Sequence, residues 1–311
     1  MDMYIAIDIG GTQIRVAIYP KGETRPIKQK RIPTKGKNET PLERLIGLVA
    51  EMWPVNDSVC AIVAAAPGWV NPQLGIVYTC PNIPGWDNLP LAQILHDRFG
   101  VPVKLGNDAN LAALGEWRYG AGRGHHNLIY LTISTGIGGG VIIDDRMLLG
   151  AHGIAAEMGH VTVIPDGPMC GCGQRGHLEA VGSGTAIGRY VAEQLAQGVP
   201  SSLSEIVNPT GRDISEAAEH GDPLAKAALG RAGTHIGHAI ANFLHIFNPS
   251  MIILGGGVSR SGPFLLEPLR AGIAERIISP EYLHGLVITT AELGDDAGLL
   301  GAVALAELLE P

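Results

Sequence analysis

The pattern Y-I-A-I-D-I-G-G-T-Q-I-R-V-A-I-Y, which begins at Tyr4, returns in outline as L-I-Y-L-T-I-S-T-G-I-G-G-G-V-I-I over residues 128–143. Each copy is an apolar strand, a glycine turn and a second apolar strand, so each reads as a β-hairpin with a bare tip. A repeat of this size predicts two domains of like build, each led by a hairpin whose tip faces a common cleft. The remaining segments alternate strand and helix. Residues 59–66 and 101–105 are short apolar runs, and the second delivers Gly106, Asn107, Asp108, Ala109 and Asn110 to a helix that runs through Trp117. Residues 251–254 form a buried strand ending in Gly255, Gly256 and Gly257. Over residues 222–247, Leu229, Ala232, Ile236, Ile240, Phe243 and Phe247 recur at helical spacing until Asn248-Pro249 closes the helix. A final helix spans 294–309. Strands separated by helices imply an α/β protein whose sheets are covered on their faces.

The chain has 311 residues, 46% of them hydrophobic, which supports two domains with sizeable cores. Its net charge of −8 argues against broad nucleic-acid binding, which needs a basic footprint. Lys21, Arg25, Lys28, Lys30, Arg31, Lys35 and Lys37 do cluster, but they alternate with Ile27 and Ile32 as a solvated hairpin or edge strand would. Neither a signal peptide nor a membrane span is evident, so a cytoplasmic location is expected. The four cysteines are then reduced, leaving Cys170 and Cys172 free to bind metal, with Cys60 and Cys80 buried and inert.

Between Glu157 and Glu179 the chain sets His160, Cys170, Cys172 and His177 among glycines. Thiolates and imidazoles at such intervals suit a closed, tetrahedral structural zinc site, with a carboxylate at either end of the stapled segment. No coordination position is left for a catalytic water, so the chemistry is expected elsewhere.

Three glycine turns follow apolar strands, and bare amides there can approach phosphate oxygens. Any one of them could be only a tight turn, but three, with Asp8 just ahead of the first, favour a nucleotide cleft formed by Gly10, Gly11 and Thr12, by Thr135, Gly136 and Gly138, and by Gly256 and Gly257. No Walker A or dinucleotide G-x-G-x-x-G spacing is present. Asp8, just ahead of the first turn, is the expected Mg²⁺ residue, acting through water. Arg15 reads as a surface residue, and Asp295-Asp296 as helix-capping residues in preference to metal ligands. Asp108 ends a buried strand and opens a helix, where α/β proteins place ligands. It either caps that helix or acts as the base that accepts a hydroxyl proton in phosphoryl transfer. Asn107 and Asn110 beside it favour the second role.

With D-I-G-G-T from Asp8, Asn107-Asp108, E-M-G-H from Glu157 and C-G-C-G-Q-R-G-H-L-E from Cys170, the chain resembles the ROK family of sugar kinases and repressors along nearly its whole length. The resemblance implies a two-lobed, actin-like and hexokinase-like ATPase fold, ribonuclease H-like in its sheets, with a zinc-stapled loop. Residues 1–117 plus 298–311 would form the small lobe and 118–297 the large one. It implies ATP-dependent phosphorylation of a hexose 6-hydroxyl, with Asp108 as the base and Gly68, Asn82, Asn107, Glu157, His160 and Glu179 lining the sugar pocket. The string after Glu157 looks most like the family's glucokinases, while N-acetylmannosamine, N-acetylglucosamine, fructose and allose kinases share the framework. The usual zinc string carries cysteine where this chain has His177. Either His177 completes the set with imidazole, or it points away and the metal is weak or absent. Dimers or tetramers are implied too. Repressors of the family carry a helix-turn-helix ahead of the first hairpin; seven residues precede Asp8, so no such segment is expected. A non-catalytic sugar-binding protein is the alternative of a different class.

Overall fold

The computed structural model describes residues 1–308. The first hairpin joins β1 (Asp2–Ile9) to β2 (Gln13–Pro20), and β3 (Lys28–Pro33) adds outside β2 as an exposed edge. That edge carries part of the basic cluster, the solvated strand expected from its alternation. Helix α1 (Pro41–Met52) starts at a capping box in which Thr40 and Glu43 bond reciprocally, and it crosses to β4 (Ser58–Ala66), parallel to β1. A small antiparallel sheet follows, built from β5 (Trp69–Asn71), β6 (Ile76–Thr79) and β7 (Asp87–Leu89). Its strands are three or four residues long, too short for periodicity to reveal. Then α2 (Leu91–Phe99) leads to β8 (Val103–Asn107), parallel to β4, and to α3 (Asp108–Tyr119).

The second half repeats this plan. The hairpin β9 (Leu128–Ile133) and β10 (Ile137–Ile143) carries β11 (Arg146–Met147) at its edge. The crossover is longer, through α4 (Glu179–Gly182), α5 (Gly184–Ala196), α6 (Gly211–Glu219) and α7 (Pro223–Phe247), before β12 (Met251–Gly255) pairs parallel to β9. After α8 (Pro263–Arg276), β13 (Val287–Thr290) pairs parallel to β12, and α9 (Ala297–Glu307) ends the described chain. The last residue of the expected 294–309 helix, Leu309, lies outside the described residues. The sheet orders, β3-β2-β1-β4-β8 and β11-β10-β9-β12-β13, are the same. The weak letter repeat is therefore a repeat of topology.

Each half keeps its own core. Ile5, Ile7 and Val16 pack with Leu45 and Val49 in the first, and Ile129 and Leu131 with Ile236 and Ile240 in the second. The last helix of each half crosses to the other: α3 packs on β9 and β10, and α9 on β1 and β4. These two helices touch backbone to backbone. A Cβ on Gly301 would run into the Leu111 carbonyl, and one on Gly115 would lie 2.5 Å from the Ala297 carbonyl oxygen, so both positions need glycine.

Candidate active site

β8 ends at Asn107 and α3 begins at Asp108, which brings both to the seam between the halves. The cap is Asn107. Its Oδ1 accepts from the Ala109 and Asn110 N–H groups at 3.0 and 3.1 Å, and its Nδ2 donates to the Gly68 carbonyl at 3.0 Å. Capping by Asp108 is thus set aside, because the preceding residue has the extended backbone a cap requires. Among the described residues the half-buried Asp108 carboxylate accepts only from the Ala109 N–H, at 2.8 Å through Oδ1. Its pKa is raised to about 6, chiefly by burial; that hydrogen bond opposes the rise, and the charges of Asp8 and Glu157 add to it. Asn110 is buried on the same turn, and its Oδ1 has no partner among the described residues. Gly68, at φ +82°, faces the Thr79 carbonyl where a Cβ would collide.

The first hairpin tip closes through Gly10 N–H donating to the Gln13 carbonyl at 2.8 Å, with the Thr34 hydroxyl on the Gly10 carbonyl at 2.6 Å. Thr12 is exposed. Exposed Asn82 lies directly over the tip: a Cβ on Gly11 would stand 2.9 Å from that of Asn82. Asp8, on β1, pairs through Oδ2 with Arg15, whose Nε is 3.0 Å away, while Oδ1 accepts no hydrogen bond among the described residues. The same guanidinium donates to the Asp295 carbonyl and approaches Asp296 Oδ1 at 3.5 Å. The reading of Arg15 as a surface residue is overturned, since its side chain is only 14% exposed. Asp295-Asp296 is likewise no cap: Asp296 stands at the cap position of α9 with helical instead of extended backbone and makes no capping bond. A hard carboxylate oxygen left free beside a glycine turn fits a hydrated magnesium ion.

Glu157 and Glu179 come from opposite ends of the cysteine segment and meet beside this seam. Burial raises the Glu157 pKa and neighbouring Glu179 adds to it, while His160 acts in opposition with Nε2 3.9 Å from the carboxylate. Glu179 starts α4; its Oε2 accepts from the Ile137 N–H at 2.9 Å and its Oε1 from the Cys170 thiol at 3.5 Å. Gly136 lies against this carboxylate, where a side chain would clash. The stapled segment folds back on itself through bridges between Thr162 and His177 and between Met169 and Arg175, with Gly173 and Gly176 at positive φ. One donor atom from each of His160, Cys170, Cys172 and His177 falls within 4.8 Å of the others. Cys170 Sγ is 3.8 Å from His160 Nδ1, and Cys172 Sγ is 3.2 Å from His177 Nδ1. Metal–ligand bonds of about 2.0–2.3 Å place tetrahedral donors about 3.5 Å apart, so the set fits zinc and His177 points inward with the rest. Burial pushes the Cys170 thiol up to about 11, a cost that a bound cation would reverse.

Next to the second hairpin tip opens a cavity of about 1170 Å³. Thr135 and Gly257, both assigned to nucleotide from sequence, line it. Two of the other assigned glycines have packing reasons to be glycine: a Cβ on Gly138 would stand 3.0 Å from that of Ala109, and Gly256, at φ +82°, faces the Ile133 carbonyl. Residues not anticipated also line the cavity, namely Thr185, Thr210, Arg212 and Arg260. The Thr185 hydroxyl donates to the Thr135 carbonyl at 2.8 Å, tying α5 to the hairpin tip. Thr210 and Asp213 form a capping box at the start of α6, a signal legible in T-G-R-D that could have marked a helix end suited to anions.

Two sheets of one topology, each helix-covered, with carboxylates converging at their seam and glycine tips beside a cavity, define an actin-like, hexokinase-like ATPase fold. The chain belongs to the ROK family, whose sequence model matches residues 4–308. A glucokinase of Thermotoga maritima is 38% identical over 309 residues, covering 97% of this chain and 96% of that protein. The crystal structure of a ROK family glucokinase from Streptomyces griseus, in complex with glucose and AMPPNP, superposes with a TM-score of 0.82 at 36% identity, covering 98% of this chain and 99% of that one. A ROK family transcriptional regulator, a homologue of the E. coli MLC protein, superposes with a TM-score of 0.90 at 29% identity; this chain spans 78% of it. Among the described residues no helix is long and apolar enough to cross a membrane.

Proposed function

We propose that the protein is an ATP-dependent hexose kinase that phosphorylates the 6-hydroxyl of glucose. The observation that carries the reading is Asp108: a carboxylate with a pKa near 6, electrostatically coupled to Asp8 and Glu157. At neutral pH it is ionised yet basic enough to take a proton from a hydroxyl as that oxygen attacks the γ-phosphate. Gly68, Asn82, Asn107, Glu157, His160 and Glu179 would hold the sugar hydroxyls, and the raised pKa of Glu157 reflects a site that gains from polar partners. The adenosine end of ATP would occupy the cavity beside Thr135 and Gly257, and its phosphates would run towards Gly10, Gly11 and Thr12. Asp8 would hold Mg²⁺ through water, the ion offsetting phosphate charge. Zinc on His160, Cys170, Cys172 and His177 would be structural, holding Glu157 and Glu179 in position.

Residues 1–117 plus 298–311 and residues 118–297 would move as lobes, closing to exclude water, which otherwise competes as acceptor. Of the first set, 309–311 lie outside the described residues. A cytoplasmic homodimer or homotetramer completes the reading. A sugar-sensing role without catalysis is the second reading, favoured by the likeness to a transcriptional regulator. ADP release measured with glucose, N-acetylmannosamine, N-acetylglucosamine, fructose and allose separates the two. Glucose is expected to give the highest kcat/KM, and absence of sugar-dependent ADP release rejects the kinase.

A further inference from the structure

We propose that Arg15 is a positioning residue for Asp8: it fixes the carboxylate and offsets its charge, so that the hairpin takes a divalent cation far better together with nucleotide phosphates than alone. The proposal rests on the kinase reading. Asp8 and Arg15 stand directly opposite in the β1–β2 register. Two guanidinium nitrogens, Nε and Nη2, donate to the same oxygen, Oδ2, which leaves Oδ1 as the open face. The far side of the guanidinium is held by the Asp295 carbonyl and by Asp296, on the turn that starts α9. The first turn of that helix lies beside the carboxylate, a Cβ on Gly298 standing at ordinary contact distance, 3.5 Å, from Asp8 Oδ1. Asp8 and Arg15 are 23% and 14% exposed, so their charges are weakly screened.

An unpaired carboxylate here would attract a free cation and repel a triphosphate. Arg15, which also faces Asp296, offsets much of that charge, and a rigid guanidinium holds the Asp8 rotamer in a way that a flexible ammonium does not. Removing the guanidinium should therefore move two affinities in opposite directions, whereas structural damage lowers both.

Mn²⁺ binding followed by electron paramagnetic resonance, on the full chain with and without AMPPNP, reads both. Relative to wild type, R15M is expected to bind free Mn²⁺ about tenfold more tightly and Mn²⁺–AMPPNP about tenfold more weakly, each about 1.4 kcal/mol. R15K should keep free Mn²⁺ binding near wild type while still weakening Mn²⁺–AMPPNP, and it carries the test if R15M does not fold. In a D8N background, R15M should no longer raise free Mn²⁺ binding. Affinities that fall together, or that do not move, overturn the proposal while leaving the kinase reading standing. A wild-type protein that does not retain Mn²⁺–AMPPNP overturns both.

Discussion

Asp108→Asn is expected to stabilise the protein while removing its turnover. In the folded chain the Asp108 pKa is about 6 against an ordinary 3.8, chiefly from burial. That gap of about two pH units corresponds to about 3 kcal/mol, which partial contact with solvent reduces to about 2 kcal/mol. Because the folded value lies above the unfolded one, the ionised carboxylate costs stability. The cost is full above pH 6, shrinks as the pH falls through 6, and is gone below 3.8. Asparagine carries no charge and its Oδ1 can still accept from the Ala109 N–H. Urea unfolding of wild type and variant at a series of pH values should show the variant ahead by about 2 kcal/mol at pH 8, with a Tm about 4 °C higher, and the advantage closing towards pH 4. In a coupled ADP assay the variant should lose about 10²–10⁴-fold in kcat with sugar affinity largely kept, and wild-type kcat should fall below pH 6 as the base becomes protonated. A variant no more stable than wild type at pH 8, or one with near-normal turnover, refutes the assignment.

Cys172→Ser, or chelation, should lower zinc content by mass spectrometry and raise the sugar KM more than it lowers kcat, because Glu179 follows the stapled segment directly and Glu157 directly precedes it. Unaltered sugar binding in a metal-free preparation would take zinc out of the account. Gly301→Ala should cost about 3 kcal/mol or more in urea unfolding, since its Cβ meets the Leu111 carbonyl and not a side chain that can turn away. A loss below about 1 kcal/mol would mean that the α3–α9 contact yields easily.

Much of the frame was legible because it is written in local pattern. Apolar runs of five to nine residues bounded by glycine are strands whatever they pack against, and the two hairpins fell where the letters placed them. The long helix was bounded to within a residue by Asp222 and Asn248, since capping chemistry lies in neighbouring residues. The His and Cys quartet was legible for the same reason: its ligands lie within one short segment that must turn back on itself.

Arg15 was misread because its partners Asp295 and Asp296 lie some 280 residues on, and no periodicity reports a contact closed at that distance. Gly138 and Gly256 look in sequence like phosphate-binding glycines, yet each also serves close packing, Gly138 against the Ala109 side chain and Gly256 against the Ile133 carbonyl, elements that the string of letters does not bring near. The amino-acid order by itself determined the strands, the helices, the duplicated plan and the residue types able to do chemistry, since these depend on the backbone and its near neighbours. Only the tertiary structure decided that Asp8, Asp108, Glu157 and Glu179 share one seam and that the Asp108 pKa rises to about 6. Desolvation and coupling between charges are properties of the space around a group, and that space exists only once the two halves have packed together.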